Sequence, residues 1–267
     1  MNWGGRFTPK SSRLYNINMI TTYHRPKTMD EALMLLSQPN RVPLGGGTLL
    51  SHSAADPVEV VDLQSLNLNN IGTQGNNLQI GATVTLQQLL ESEHCPEALK
   101  SALKLEAPLN LRNSATVAGT LVSCDGRSTF ATSLLALDAK IEIRSSENES
   151  RVSNIGDFLP LRPRGLITSI SLPLNVKLAF DFVSRTPADK PIVCTALARW
   201  NSGRTRLALG GYGKNPHLGM DGTESEGIET AARNAFHEAT DDYGSADYRK
   251  DVAATLARRC LTRVASG

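Results

Sequence analysis

The stretch Pro43-Leu44-Gly45-Gly46-Gly47-Thr48-Leu49-Leu50 (PLGGGTLL) is the most informative short segment of this chain. Three consecutive glycines follow an apolar approach and precede a threonine. Glycines leave several backbone N–H groups free to converge on an anion, and their missing side chains let a phosphate come close to the main chain. The segment therefore predicts a phosphate-binding loop, with a simple tight turn as the alternative, because glycine runs are common in turns.

A second segment, LRNSATVAGT at residues 111–120, has a related composition. Thr116 and Thr120 bracket Ala118-Gly119, so two hydroxyl groups accompany backbone amides that we expect to be exposed. A pyrophosphate carries two charged groups, and two such loops facing one another would clamp it. The alternative is again a pair of tight turns.

Helices and strands alternate irregularly around these two segments, which predicts an α+β fold with a domain boundary between Pro160 and Pro173. Thr28 with Glu31, and Thr85 with Gln88, have the spacing of capping boxes and predict helix starts. Strands are predicted at residues 58–63, 78–84, 139–144, 166–172, around Phe180, at 193–200 and at 204–210, with a hairpin turn at 201–203. Further helices are predicted at 96–104, at 129–137 and twice at the C-terminal end.

Composition excludes several classes of protein. The chain has 267 residues, which suits one large or two modest domains. A net charge of +2 is too balanced to favour nucleic-acid binding. No apolar run approaches the ~18 residues of a membrane span. Residues 1–18 are polar and predict a flexible tail without a secretory signal, so the cytoplasm is the expected compartment.

The usual catalytic and metal-binding patterns are missing from the sequence. The five histidines have no H-E-x-x-H spacing, and the four cysteines are isolated from one another. There is no G-x-S-x-G nucleophile segment, no P-loop and no G-x-G-x-x-G. We therefore predict no catalytic acid, base or nucleophile and no metal ligand in this chain.

A series of motifs in fixed order resembles one protein family. The segments are RPKTMDEALMLL (25–36), PLGGGTLL (43–50), VVDL (60–63), LQIGATVT (78–85), LRNSATVAGT (111–120) and LLALDA (134–139). GSADYRKDVAATLARR (244–259) resembles the C-terminal domain of the same family. The chain is similar in this way, from about Tyr23 to Val264, to the FAD-binding medium subunit of molybdenum hydroxylases, of the xanthine dehydrogenase and carbon monoxide dehydrogenase flavoprotein type.

The resemblance implies a fold, a cofactor and partners. The implied fold is an α+β FAD-binding domain of the vanillyl-alcohol-oxidase type in two α/β subdomains at residues 19–173, followed by a smaller α/β C-terminal domain at 174–267. The implied cofactor is FAD. The implied partners are a large subunit with the molybdenum cofactor and a small subunit with [2Fe-2S] clusters, and the electron acceptor would be NAD+ or another molecule.

The resemblance also implies which residues bind FAD. Residues 43–49 would form the first loop, with Gly46, Gly47 and Thr48 at the pyrophosphate, and Ile167 would pack on the flavin ring. The full predicted set is Pro43, Leu44, Gly45, Gly46, Gly47, Thr48, Leu49, Thr116, Ala118, Gly119, Thr120, Val122, Asp125, Thr129, Ile167 and Asp181.

Several positions depart from the family pattern. Ala118 replaces a glycine, Thr120 an asparagine and Leu49 an acidic residue. Thr129 stands where an aspartate is typical, although Asp125 lies nearby in sequence. Asp181 falls where a lysine near the flavin is common, so an acidic group is expected to face the ring there.

Two alternatives stay open at this stage. The polar departures would suit a scaffold that keeps the fold and has lost FAD. A stand-alone flavin oxidoreductase of the same fold would need an acid or base beside the flavin ring, and the sequence indicates none.

Overall fold

A computed structural model describes residues 20–50, 57–145 and 149–266. Within those residues, twelve strands form three sheets and nine α-helices pack against them. This mixture of elements confirms the predicted α+β class. The tail predicted at residues 1–18 lies outside the described residues, and no helix within them is long and apolar enough to cross a membrane.

A small parallel sheet carries the glycine-rich segment. Its strands, in spatial order, are β1 (Ile20–His24), β3 (Val58–Asp62) and β2 (Arg41–Leu44). Helix α1 (Met29–Leu36) packs on this sheet, and its predicted N-cap is confirmed because the Thr28 hydroxyl accepts a hydrogen bond from Glu31 N–H at 3.3 Å. Since β2 ends at Leu44, the glycines begin at the carboxyl end of a parallel strand, the edge at which such sheets bind ligands.

A second sheet of five antiparallel strands follows a short 3-10 helix at Gln64–Leu66. Its strands, in spatial order, are β4 (Ile71–Gln74), β5 (Asn77–Gly81), β8 (Leu166–Pro173), β6 (Lys140–Arg144) and β7 (Ser150–Asn154). Leu78, Ile80 and Ile141 point inward in the period of two that the sequence predicts. Strand β7 was not predicted, because it is an edge strand whose mainly exposed, polar side chains have no apolar alternation.

Six helices accompany this sheet, and buried side chains from five of them share its core. They are α2 (Leu86–Glu91), α3 (Glu97–Glu106), α4 (Leu109–Arg112), α5 (Val117–Ser123), α6 (Thr129–Ala136) and α7 (Ile155–Leu161). The predicted capping box of α2 is confirmed, with Gln88 N–H 3.1 Å from the Thr85 hydroxyl and Thr85 N–H 2.9 Å from the Gln88 side-chain oxygen. Every residue of α6 is buried, since α3 and the third sheet contact it.

The third sheet is antiparallel and has four strands. Its order is β12 (His217–Gly222), β11 (Thr205–Gly210), β10 (Val193–Trp200) and β9 (Val176–Val183), followed by helices α8 (Ile228–Ala235) and α9 (Ala246–Ser266). The predicted hairpin between β10 and β11 is confirmed, and Gly203 takes a φ of +87° in its turn. Strand β12 was not predicted, because HLGMDG contains no run of apolar alternation.

Both faces of the third sheet are covered. Leu197 and Leu207 pack in one core with α8 and α9, whereas Ala196 and Ala208 belong to the core that includes α6. The small alanine side chains let α6 lie close to the sheet, so the two halves of the chain are packed together. The predicted boundary after Pro173 falls between β8 and β9 and stays a prediction.

Candidate functional site

The glycine loop is pressed against the segment that precedes α5. A Cβ atom on Gly46 would lie 1.6 Å from the carbonyl oxygen of Ser114, and one on Gly45 would lie 2.9 Å from the hydroxyl oxygen of Thr116. Gly47 has a φ of +68°, which a residue with a side chain rarely adopts. The sequence predicted that the glycines admit a phosphate. In addition, Gly46 leaves room for a second stretch of backbone, and Gly45 leaves room for the Thr116 side chain.

The loop keeps hydrogen-bond donors that the fold does not use. In the described part of the chain, the backbone N–H groups of Gly45, Gly46 and Thr48 make no hydrogen bond to another protein group. Unpaired N–H groups of this kind require water or a ligand as acceptor. The loop therefore has the donor set of an anion-binding loop.

The second predicted loop is a helix, and this corrects the sequence interpretation. Thr116 is the N-cap of α5, and its hydroxyl accepts from Gly119 N–H at 3.1 Å. The N–H of Val117 donates to the Val84 carbonyl at 2.9 Å, and that of Ala118 to the Ala82 carbonyl at 3.3 Å. These amides are already paired, so α5 lacks the exposed donors that the sequence predicted and forms a wall of the site.

A cleft of about 370 Å3 separates the glycine loop from α5 and the start of β8. Most of its lining is apolar or backbone, including buried Ile167 and the adjoining Gly165. Eleven predicted residues line this apolar cleft: Pro43, Gly45, Gly46, Gly47, Thr48, Leu49, Thr116, Ala118, Gly119, Val122 and Ile167.

A second cavity, of about 240 Å3, shares Thr48 and Leu49 with the apolar cleft. We call it the polar cavity, because Thr120, Glu106 and Lys190 line it. Thr120 was predicted from the sequence, but Glu106 and Lys190 were not. Glu106 is the last residue of α3, and Lys190 lies between β9 and β10, so no local motif links them.

Lys190 and its surroundings give the polar cavity a mixed charge. The Lys190 Nζ atom lies 3.7 Å from an Asp125 carboxylate oxygen, and the Lys190 carbonyl accepts from Arg127 at 2.7 Å. Cys124 also lines the cavity, and burial raises the pKa of its thiol while the nearby Arg162 guanidinium opposes that effect. The raised pKa keeps Cys124 protonated, which makes it a poor nucleophile.

Three predicted residues lie beside the two cavities without lining them. The Leu44 carbonyl accepts from Leu63 N–H at 3.1 Å, within the small sheet. Asp125 accepts from Arg127 N–H at 2.9 Å and faces Lys190. The Thr129 hydroxyl is buried and donates to the Ala102 carbonyl at 2.7 Å. Each of these three residues therefore contacts other parts of the protein and does not border either cavity.

Asp181 lies outside both cavities, whereas the family resemblance implied that it faces the cofactor ring. It is in the middle of β9, and one carboxylate oxygen accepts from Arg263 of α9 at 3.1 Å, with Arg259 3.9 Å away. The carboxylate therefore joins α9 to the third sheet. The positively charged side chain that lines the polar cavity is that of Lys190, nine positions later in the chain.

Comparison with known proteins agrees with this geometry. Residues 16–175 match the family model described as the FAD binding domain in molybdopterin dehydrogenase. The chain is 25% identical to the glyceraldehyde dehydrogenase medium chain of Sulfolobus acidocaldarius, over 91% of this chain and 98% of the relative. It is 24% identical to the carbon monoxide dehydrogenase medium chain of Afipia carboxidovorans, over 90% of this chain and 95% of the relative.

The fold agrees with that of a solved structure. A chain of quinoline 2-oxidoreductase from Pseudomonas putida 86 superimposes with a TM-score of 0.78 at 22% identity, covering 92% of this chain and 97% of the other. The family model covers more than half of the sequence and includes the glycine loop, α5 and Ile167. The chain therefore belongs to the family of FAD-binding domains of molybdopterin dehydrogenases, and its cofactor is FAD.

Proposed function

We propose that this chain is the electron-transfer flavoprotein subunit of a molybdenum-containing dehydrogenase. The observation that carries the proposal is the glycine loop, whose unpaired N–H groups belong to Gly45 and Gly46, which line the apolar cleft, and to Thr48, which lines both cavities. A pyrophosphate bound there would have room for one end of FAD on either side. The residues present therefore fit the cofactor.

The linings of the two cavities suggest which end of FAD each one holds. The polar cavity offers a carboxylate and an ammonium group to the hydrogen-bonding atoms of a flavin ring, whereas the apolar cleft suits the adenosine end. Ile167, which the family resemblance places on the flavin ring, lies in the apolar cleft and would instead contact adenosine. Asp125 would affect the flavin ring indirectly, by pairing with Lys190. Thr129 would do so by holding α6 in place.

The chain itself needs to bind, orient and shield the cofactor. FAD supplies the redox chemistry, because a flavin can exchange electrons singly or in pairs. Glycine-loop amides would hold the pyrophosphate, and Thr120 and Lys190 would contact the ring. No general base or nucleophile is required for this role, which agrees with the absence of such a motif from the sequence.

NAD+ is the electron acceptor that we propose. Arg127 and Arg185 lie over the ring of Tyr243, with guanidinium carbons 4.0 and 5.2 Å from its centroid, and Tyr243 is exposed. Arg127 also binds the carbonyl of Lys190, so this basic and aromatic surface adjoins the polar cavity. Such a surface suits a molecule with phosphates and a planar ring.

Molybdenum and iron–sulfur partners are proposed from the relatives. A medium chain implies larger and smaller subunits, and the chain spans nearly the whole length of two relatives with that name. Leu49, Leu111 and Val122 are exposed apolar residues around the cavities, which supports a partner surface at their rim. The four cysteines are free, which supports a reducing compartment such as the cytoplasm.

Neither alternative is favoured. A scaffold without FAD would have no need for the unpaired amides of the glycine loop. A stand-alone flavin oxidoreductase would not be expected to match medium chains over about 90% of its length.

Purification from the native source provides the main test. We expect the chain to copurify with a molybdenum subunit and an iron–sulfur subunit, with one FAD per copy of this chain. The substrate-reduced complex is expected to reduce NAD+. A colourless chain that copurifies only with itself would contradict the subunit assignment, and a reduced complex that ignores NAD+ but reduces a quinone or a dye would contradict the acceptor.

The charge of Lys190 gives a more specific prediction. Lys190→Gln is expected to lower the midpoint potential of bound FAD by about 30 mV, a tenfold weaker preference for the reduced form, because a positive charge favours the electron-rich state. Asp181→Asn serves as the control and should leave the potential unchanged, since its carboxylate pairs with Arg263. Potentiometric titration of both variants would reject the assignment if only Asp181→Asn shifted the potential.

A further inference from the structure

The carboxylate of Glu106 joins the end of α3 to the start of α6. Its Oε2 atom accepts hydrogen bonds from the Ser128 hydroxyl at 2.9 Å and from Phe130 N–H at 2.9 Å. The Thr129 hydroxyl oxygen is 3.1 Å away, and its proton also has the Ala102 carbonyl as an acceptor. One oxygen of the carboxylate is therefore fully used by the first turn of α6.

The other oxygen of Glu106 has no such role. Among the described residues, none donates to Oε1. Ser128 already caps α6 by accepting from Ala131 N–H at 3.0 Å, so a neutral glutamine would satisfy the same packing. The carboxylate charge is favourable at the N-terminal end of α6, but the fold gives Oε1 no donor, and the side chain lines the polar cavity.

Glu106 and Lys190 present opposite chemistry to the polar cavity. A carboxylate can only accept hydrogen bonds and an ammonium group can only donate them. The pyrimidine part of an oxidised flavin has one N–H, at N3, between two carbonyl groups. An acceptor next to a donor is the arrangement that such an edge requires.

We propose that Glu106 is a positioning residue for the flavin, whose carboxylate accepts the hydrogen bond of the N3–H group. Lys190 donates to a neighbouring carbonyl of the same edge. This inference rests on the proposed function and on the ring occupying the polar cavity. It assigns a role to the end of α3, a helix that carries none of the predicted cofactor residues.

A flavin methylated at N3 tests the contact directly. The full-length chain, freed of cofactor, is titrated with FAD and with N3-methyl-FAD. The wild type should bind the methylated analogue about tenfold more weakly or worse, because the charged hydrogen bond is lost. In Glu106→Ala the ratio of the two dissociation constants should fall close to one, whereas Glu97→Ala, an exposed change on the same helix, should keep the wild-type ratio.

Two outcomes would overturn the inference: a wild type that binds both flavins equally, or a Glu106→Ala variant that still discriminates between them. If the wild type binds neither flavin, the proposed function fails as well. If it binds FAD without sensitivity to the N3 methyl group, only the role of Glu106 fails.

Glu106→Gln keeps the inference testable if the alanine variant does not fold. The glutamine oxygen can still accept from Ser128 and Phe130, so α6 should stay capped. Loss of the negative charge should raise the midpoint potential of bound FAD by about 30 mV, the equivalent of a tenfold stronger preference for reduced FAD. An unchanged potential in a folded, FAD-loaded Glu106→Gln chain would contradict the proposal.

Discussion

Gly46→Val is expected to abolish FAD binding, with a dissociation constant raised at least about 100-fold. The first side-chain atom would lie 1.6 Å from the Ser114 carbonyl oxygen, so either the glycine loop or the segment before α5 must move. Overpacking of this kind costs about 1–3 kcal/mol even in cores that can adjust, and here both partners are backbone. The amides of the loop would then no longer converge on the pyrophosphate.

Two further glycine variants, Gly47→Ala and Gly72→Ala, separate the loss of FAD binding from a general loss of stability. Gly47→Ala should weaken FAD binding about fivefold to thirtyfold, because a left-handed backbone costs a residue with a side chain about 1–2 kcal/mol. Gly72→Ala is the control, since a Cβ there meets no atom within 4 Å. Flavin absorbance after gel filtration and the melting temperature measure both effects. A Gly46→Val chain with full FAD content would show that the loop does not need its contact with Ser114.

Local sequence signals predicted most of the fold. The Thr28 and Thr85 caps act within four residues, and the alternation of Leu78 and Ile80 reports burial on one face of a strand. The glycine loop was also predictable, because glycine is needed where backbones approach closely or φ is positive. These features depend on neighbours in sequence, so a single chain is enough to recognise them.

The parts that could not be predicted depend on contacts between distant segments. The small residues and hydroxyl groups around Ala118-Gly119 predict a loop, but Thr116 acts as the N-cap of helix α5. Its first amides bind the strand end near Val84, which only the folded chain brings there. Lys190 and Asp125 are 65 positions apart in sequence and become neighbours only in the folded chain. The family resemblance therefore pointed to Asp181, and not to Lys190, as the charged residue near the flavin.

The buried Arg249 of α9 is expected to dominate the stability of the C-terminal half. Its guanidinium donates to the carbonyls of Ala239 and Gly244 and to the Asp241 carboxylate at 2.6 Å, and it has no exposure to solvent. Its Nε also donates to the Ile192 carbonyl at 3.3 Å, next to the Lys190 segment. One side chain therefore fixes the loop before α9 to the strand end beside the polar cavity.

Arg249→Met should lower the free energy of unfolding by about 3–5 kcal/mol, because the carbonyls of Ala239, Gly244 and Ile192 lose their donor and the partly exposed Asp241 carboxylate loses its cation. Arg258→Met, an exposed change on the same helix, is the control and should cost less than about 1 kcal/mol. Denaturant unfolding measures both. A small effect of Arg249→Met would mean that water replaces the guanidinium at the buried carbonyls.

The effect of Arg249→Met should depend on pH in a direction set by Asp241. Burial alone would raise the pKa of Asp241, but hydrogen bonds from Arg249, Tyr243 N–H and Gly244 N–H hold it below its usual value. A carboxyl group with a lowered pKa in the folded state stabilises the fold above its unfolded pKa of about 4, and the contribution is lost as the pH falls through the folded value. The stability gap between wild type and Arg249→Met should therefore be largest near pH 7 and should narrow below about pH 4. A stability gap between wild type and Arg249→Met that stays constant with pH would show that the Asp241 charge contributes nothing. Tyr243, the ring under Arg127 and Arg185, lies in the same loop as Asp241. Arg249→Met should therefore also weaken NAD+ reduction by the assembled complex at pH 7.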